Sequence, residues 1–443
     1  MRRVILKSDE VLSRAHLNRT GAFNAQALEA ATAIVEDVRQ RGDAALRELT
    51  EKFDGVAVGD FRVPQAAIDA AEEQVDPEVL AALRQAAAQI REFHERQVEQ
   101  SWFYAREDGA IVGAKVTPLE SVGVYAPGGR ALYPSSLLMN ALPAQVAGVE
   151  RIVCVTPPAK DGGLDAAMLA ACKIAGVTEV YTVGGAQAVA ALAYGTESIA
   201  PVDKVTGPGN AFVAAAKKVV SGDVGIDMIA GPSEVCVVAD ETADPALVAI
   251  DLMAQAEHDP LAACYLVTFS EAYADEVEAA VERHMASSTR ADITTASLRD
   301  QGLIVICETV EQAIQSVNVI APEHLELHLR GAMDLVGAIR NAGAIFLGEW
   351  TPEAVGDYVA GPNHTLPTGG TARYASPLSV DEFVKKSSII QYTPKALARD
   401  ARAVVSIARH EGLWAHAESV AQRLALLDEA GMDGVPKVGG RDA

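Results

Sequence analysis

Residues 151–220 run RIVCVTPPAKDGGLDAAMLAACKIAGVTEVYTVGGAQAVAALAYGTESIAPVDKVTGPGNAFVAAAKKVV, and this stretch decides the fold class. Short β-rich runs (RIVCVT, EVYTVGG, KVTGPG) alternate with apolar runs of helical period (DAAMLAACKIAGV, AQAVAALAYG, NAFVAAAKKVV). Strands separated by helices of this length do not pair as hairpins; each helix carries the chain back across the sheet, which predicts βαβ units and a parallel sheet. A second series follows downstream: VCVVAD, a helix from Pro245 to His258 capped by Asp244, CYLVTF, a helix from Glu271, LIVIC, a helix near Val310, and AIFLG at 344–348. Two Rossmann-like, doubly wound parallel sheets in an α/β protein are the economical reading.

The flanks are expected to be extensions on this frame. From Asn24 to Gln97 apolar residues recur at spacings of three and four, predicting scaffold helices. Residues 111–125 alternate as strands do, then enter the glycine-rich turn APGGR and a helix opened by Pro134, Ser135 and Ser136. Beyond Pro394 a helical pair is predicted, with Thr393 as N-cap and Gly412 as its break, ending in a frayed MDGVPKVGGRDA. The expected organisation is an N-terminal extension (1–22), a discontinuous α/β domain (23–124 and 233–378), an inserted α/β domain (125–232) and a C-terminal helical tail (379–443).

Composition narrows the function classes. The 443 residues are 49% hydrophobic and 22% charged, which excludes a disordered or fibrous chain. With 60 acidic against 37 basic residues the formal charge is -23, so nucleic acid and anionic membrane surfaces are not expected partners. Five cysteines, at 154, 172, 236, 264 and 307, lie in or beside apolar runs without a CxxC spacing, the pattern of buried thiols in a reducing cytoplasm. MRRVILKSDEV has too short an apolar run for a signal peptide, and the most apolar stretch, 180–194, is interrupted by Gly184, Gly185 and Gln187, so no membrane span is expected.

Several polar clusters are candidates for chemistry. Gln255 and His258 in LMAQAEHDP stand one turn apart at a predicted helix end, where they can converge on one ion or simply face the dipole. Glu323 and His324 in IAPEHLELH are expected in a helix first turn, with Pro322 at the first helical position and Ala321 as a poor N-cap; that setting favours an ionised carboxylate and a neutral imidazole able to act as a base. His324 and His328 could mimic a metal pair, but Leu325 and Leu327 imply a half-buried helix whose histidines hydrogen-bond. Asp357 and His364 fall in the long loop TPEAVGDYVAGPNHTLPTGG, a composition common in binding loops, and Glu411 and His416 flank the break of the C-terminal pair. VGGAQ and GPGN each follow a strand and open a helix, where phosphates bind in parallel-sheet proteins, but a GxGxxG fingerprint is missing.

Taken in order, SVGVYAPGGRALYPSS, VGGAQAVAALAYGT, VTGPGN, IAGPSE, QAEHD, APEHLELH, GDYVAGPNHTLPT and EGLWAH resemble the histidinol dehydrogenase family, from roughly Ala22 to Ala430. The resemblance implies a cytoplasmic homodimeric zinc enzyme that oxidises L-histidinol through the aldehyde to L-histidine with two NAD. It implies zinc ligation by Gln255, His258, Asp357 and His416, with Glu323 activating water and His324 as general base. Substrate contacts are implied for Ser233, His364 and Glu411 together with His324 and the zinc ligands, and nucleotide contacts for Tyr125, Gln187 and Asn210, with Glu411 and His416 crossing a dimer interface. Residue chemistry points the same way: imidazoles with an amide and a carboxylate suit a transition metal, and oxidation of an alcohol to an acid needs a proton acceptor, a hydride acceptor and an activated water. Cys154 and Cys236 lie in predicted strands and are discounted as nucleophiles. A zinc hydrolase with Glu323 as base, or a ligand-carrying module, are the alternatives, separated by whether NADH forms.

Overall fold

The computed structural model describes residues 1–19, 23–128 and 133–429; the APGGR turn is described only as far as Gly128, and MDGVPKVGGRDA lies outside the described residues. In chain order the strands are Arg2–Ile5 (β1), Trp102–Ala105 (β2), Ile111–Pro118 (β3), Ser121–Tyr125 (β4), Arg151–Thr156 (β5), Glu179–Thr182 (β6) and Lys204–Thr206 (β7). There follow Gly225–Ile226 (β8), Glu234–Ala239 (β9), Ala263–Thr268 (β10), Leu303–Ile306 (β11), His324–His328 (β12), Ala344–Leu347 (β13) and Val384–Gln391 (β14). The chain packs as two units, Met1–Val98 with Pro118–Phe383, and Glu99–Thr117 with Val384–Ala443.

The first unit holds two parallel sheets, ordered β6-β5-β4-β7-β8 and β1-β11-β10-β9-β12-β13. In the first the chain starts at the central strand β4, walks to the β6 edge and restarts on the other side with β7; in the second, apart from β1 at the edge, it runs from β9 through β10 to β11 and restarts on the other side with β12. Each sheet therefore has one topological switch point, between β4 and β7 and between β9 and β12, the position where α/β proteins open a crevice. Both faces of both sheets are covered: Val124 and Cys154 pack with Leu138 and Ala171, while Val153 and Tyr181 pack on the opposite face with Leu46 and Val189. Burial on two faces is why these strands are continuous apolar runs rather than alternating ones.

Three expectations are corrected. The first residues are not merely an extension: Arg2–Ile5 pairs in parallel register with Leu303–Ile306, supplying the sheet edge beside β11. IAPEHLELH does not open a helix. Ala321, at φ 49° and ψ 62°, closes the helix Val310–Ile320, and His324–His328 is a buried central strand paired with β9 and β13. Finally, the helix Pro245–Ala256 stops at Glu257, which leaves His258 in the following turn with its N–H on the Gln255 carbonyl at 3.2 Å.

The second unit contains the sheet β14-β3-β2, so residues 99–117 group with the C-terminal segment. Its helices, Pro394–His410 and Trp414–Glu429, form the expected pair, with the Thr393 side chain accepting from Ala396 N–H and Gly412 at φ 74° in the break. Among the described residues, no helix is long and apolar enough to cross a membrane.

Candidate active site

A pocket of about 820 Å³ in the first unit is lined from both sheets. The five-stranded sheet contributes its carboxyl edge: Tyr125 at the end of β4 with Gly128 beyond it, and Pro208, Gly209 and Asn210 after β7. The six-stranded sheet contributes its amino edge, with Ser233 just before β9 and Glu323 and His324 at the start of β12. Gln255, His258, Glu353, Asp357 and His364 close the wall. The candidates from the first unit thus meet in one cavity, except Gln187, which lines an adjoining cavity of about 990 Å³ together with Tyr125 and Asn210. Glu411 and His416 belong to the second unit, where both are solvent-exposed.

Glu323 and His324 are placed by sheet pairing. Glu323 Oε2 accepts the Glu234 N–H at 2.8 Å, and His324 Nδ1 lies 3.2 Å from the Glu234 carbonyl. Glu234 is itself buried and held by Arg19 at 2.8 and 3.0 Å. Burial pushes the Glu323 carboxyl up to about 7, the range of a proton acceptor working at neutral pH. Burial opposes charge on His324, but the carboxylates of Glu353, Glu323 and Asp357 outweigh it and hold the imidazole well above its ordinary value. No helix N-terminus lies beneath the ring; the surrounding carboxylates favour its charged form instead.

Two further carboxylates complete the cluster. Glu353 is buried, 3.8 Å from His324 Nδ1, and Asp357 Oδ1 lies 3.6 Å from His324 Nε2, attractive but too long for a hydrogen bond. Burial raises Asp357, yet its interactions with His324 prevail and keep it ionised below the usual carboxylate range. His258 opens to solvent in the pocket and His364 is half-buried, and loss of hydration among their neighbours draws both imidazoles below the usual value. His364 is fixed by the Asp357 carbonyl at 2.8 Å and the Ser136 hydroxyl at 3.2 Å.

Glu353 escaped the sequence reading. Its signal is PEAVGD, which sets two carboxylates at i and i+4 of the short helix Glu353–Tyr358, and so on one face. Ligand atoms of His258, Glu353 and Asp357 all lie within 4.8 Å of one another. Turned so that its amide nitrogen faces Glu353 Oε1 (3.2 Å), His324 Nδ1 (3.2 Å) and the Glu234 carbonyl (3.3 Å), the Gln255 side chain would leave its oxygen for a cation. A neutral imidazole, an ionised carboxylate and an amide oxygen fit a borderline metal such as zinc.

The glycine-bounded side fits a nucleotide. Asn210 caps the helix Ala211–Val220, accepting from Phe212 and Val213 N–H at 3.0 and 3.1 Å. Gly207, at φ 110°, crosses Tyr125 so closely that a Cβ would lie 2.1 Å from the Tyr125 carbonyl oxygen. It is clamped by Asp227, which accepts its N–H at 2.9 Å, and by Lys217, which donates to its carbonyl at 2.8 Å; Lys217 and Asp227 are themselves a buried ion pair. Gly185 N–H donates to the Tyr125 hydroxyl at 3.1 Å, tying the VGGAQ turn to the same tyrosine. Such turns bring backbone close to a ligand at helix N-termini, where phosphate is stabilised.

The comparisons agree with this geometry over nearly the whole chain: a family model described as histidinol dehydrogenase matches residues 17–424. The chain belongs to the histidinol dehydrogenase family. It is 54% identical over 390 residues to a histidinol dehydrogenase of Bacillus subtilis (strain 168), covering 88% of this chain and 91% of the relative. Against the histidinol dehydrogenase of Chlorobaculum tepidum it is 50% identical over 419 residues, 95% of this chain and 98% of the relative. The crystal structure of histidinol dehydrogenase from Elizabethkingia anophelis has a TM-score of 0.90 at 35% identity, covering 97% of this chain and 99% of that one. Membership of the histidinol dehydrogenase family accounts for the ordered motifs from VTGPGN to EGLWAH. The five cysteines are buried, and burial raises the thiols of Cys172, Cys236, Cys264 and Cys307, so a thiolate route to the acid finds no support.

Proposed function

We propose that this chain oxidises L-histidinol through L-histidinaldehyde to L-histidine, the last steps of histidine biosynthesis, with zinc and NAD as cofactors. The observation that carries the reading is the meeting of Glu323 and His324 with a nitrogen and oxygen ligand set in a pocket whose other wall is the glycine-bounded carboxyl edge of a parallel sheet. A hydrolase would use the first feature without the second.

Gln255, His258 and Asp357 would hold zinc, with His416 contributed by a second copy, and Tyr125, Gln187 and Asn210 would line the NAD site. When bound, zinc supplies a positive charge that orients and polarises the substrate, and NAD supplies the hydride acceptor. The residues of the chain do the rest. With Asp357 committed to a metal, one of the carboxylates that hold the proton on His324 is withdrawn, and the imidazole can accept the proton of the substrate hydroxyl. Glu323, anchored on Glu234 N–H, takes a proton from water as it adds to the aldehyde carbon. Ser233 and His364 line the same pocket and orient the substrate. Overall, one alcohol and one water give one carboxylate, two hydrides and three protons.

The same reading makes the enzyme a homodimer in which Glu411 and His416 reach the partner's pocket, and buried, unpaired cysteines support a reducing cytoplasm. The test is the amount of NADH formed per L-histidinol consumed, with and without a chelator. Two NADH, abolished by chelation, is expected; one NADH with released aldehyde, or hydrolysis without NADH, contradicts it.

A further inference from the structure

Strand His324–His328 alternates strictly. Leu325 and Leu327 enter the core on one face, so His324, Glu326 and His328 share the other, where Asp251 and Gln255 lie on the helix Pro245–Ala256. Only His324 reaches the pocket, yet Glu326 is fully buried behind it and His328 is 3% exposed. A carboxylate in that position costs free energy unless its bonds are worth more than an apolar replacement.

Its bonds lead to one element. Glu326 Oε1 accepts the Glu353 N–H at 2.7 Å, at the first position of the helix Glu353–Tyr358. That helix has Pro352 as N-cap and no capping side chain of its own, so Glu326 performs the capping from a neighbouring strand. Glu326 Oε2 lies 3.3 Å from His328 Nε2, which lies 3.7 Å from Asp251 Oδ2. The second distance is too long for a hydrogen bond, and neither His328 ring nitrogen has a hydrogen-bond partner among the described residues, so His328 and Asp251 stand behind Glu326 as ionic neighbours rather than as a bonded relay. The helix so anchored carries Glu353 at its start and Asp357 one turn on.

We infer that Glu326, backed by His328 and Asp251, is a positioning residue of the metal site: it fixes the helix Glu353–Tyr358 and through it the carboxylate of Asp357. The inference rests on the reading of Asp357 as a metal ligand. Outer groups of this kind set ligand orientation without touching the metal.

The test uses the full-length enzyme loaded with zinc, or with cobalt as a visible reporter, and measures metal dissociation by competition with a chromophoric chelator. Glu326→Ala is expected to weaken metal binding roughly 10- to 100-fold and to change the cobalt absorption bands. Glu326→Gln, whose amide oxygen still accepts the Glu353 N–H, should keep affinity within about threefold of wild type. Glu326→Met fills the volume without accepting a hydrogen bond and serves where the alanine variant does not accumulate; it should behave like alanine. Asp357→Asn is measured in parallel. If Asp357→Asn loses metal while Glu326→Ala and Glu326→Met keep wild-type affinity and cobalt spectrum, the inference is overturned and the metal reading stands. If Asp357→Asn binds metal normally, the metal reading falls and the inference with it. A second tightly bound metal lost on His328→Ala would also overturn it, placing an ion where His328 is inferred to be an ionic neighbour.

Discussion

Glu323 Oε2 accepts the backbone N–H of Glu234 at 2.8 Å, so the carboxyl expected to activate water is anchored across a parallel strand pair rather than at a helix end. Glutamine can accept the same hydrogen bond but cannot take a proton. Glu323→Gln should therefore fold normally and lower the aldehyde-oxidising half-reaction by roughly 10²- to 10⁴-fold, with a smaller effect on the first hydride transfer. Stopped-flow NADH formation from histidinol and from histidinaldehyde separates the two. His324→Ala should slow both.

The same carboxyl makes the metal-free protein sensitive to pH. Burial raises it from 4.5 to about 7, so between those values the folded state binds a proton that the unfolded state has released. Stability from this group is fully present below pH 4.5 and is lost as pH rises through 7, at roughly 1.4 kcal/mol for each pH unit between the two values. Glu323→Gln mimics the protonated form and should raise the melting temperature of the metal-free protein at pH 8 to 9 while leaving it nearly unchanged at pH 4. An equal effect at both ends would reject the assignment.

Lys217 and Asp227 form a buried pair whose side chains hold both backbone groups of Gly207. Removing one partner leaves a buried charge alone, so Lys217→Met should cost about 3–5 kcal/mol in urea unfolding. The double change Lys217→Met with Asp227→Leu should recover most of that stability without restoring the grip on Gly207. Nucleotide affinity, followed by fluorescence titration, should stay low in the double variant if the pair serves the loop and return if it serves only packing.

Ala321 is the one non-glycine residue at positive φ among the described residues, at 49°, and it precedes Pro322 and the Glu323–His324 pair. An L-residue there costs about 1–2 kcal/mol. Ala321→Gly should leave thermal stability within about 1 kcal/mol of wild type, relief of strain offsetting the entropy glycine adds to the unfolded chain. Ala321→Val should destabilise by more than that and reduce turnover, because the turn that delivers both residues to the pocket must shift.

Much of this was legible in the chain because burial on both faces of a sheet leaves a plain mark: RIVCVT, VCVVAD and CYLVTF are continuous apolar runs. The strand that matters most lacked it. HLELH alternates with a period of two, but its polar members are buried charged groups, and the helix-start vocabulary of Pro322 and Glu323 hid the alternation. Arg2–Ile5 failed to stand out for a similar reason, since an edge strand of four residues with two arginines carries little apolar signal. The glycine loops were found because their φ values and close approaches demand glycine locally. Glu353 was missed because its role comes from contacts with His258 and His324, distant in sequence.

In the second unit, taken by itself, the helical hairpin buries Ala398, Ala401 and Leu424 in one small cluster and Val405, Ala408 and Ala417 in another, but leaves Ile407 59%, Leu413 43%, Trp414 73% and Leu426 63% exposed. Ile407, Leu413 and Trp414, close to the turn that carries Glu411 and His416, mark a surface built to be covered. A second copy covers it in the homodimer proposed above, which places His416 in the partner's metal set. An inactive His416→Ala chain and an inactive Glu323→Gln, His324→Ala chain, refolded together in equal amounts, then yield half mixed dimers. Each mixed dimer has one site with both intact contributions, so roughly a quarter of wild-type activity should return. If His416 instead served its own subunit, every site in the mixture would carry a defect and the refolded sample would stay inactive.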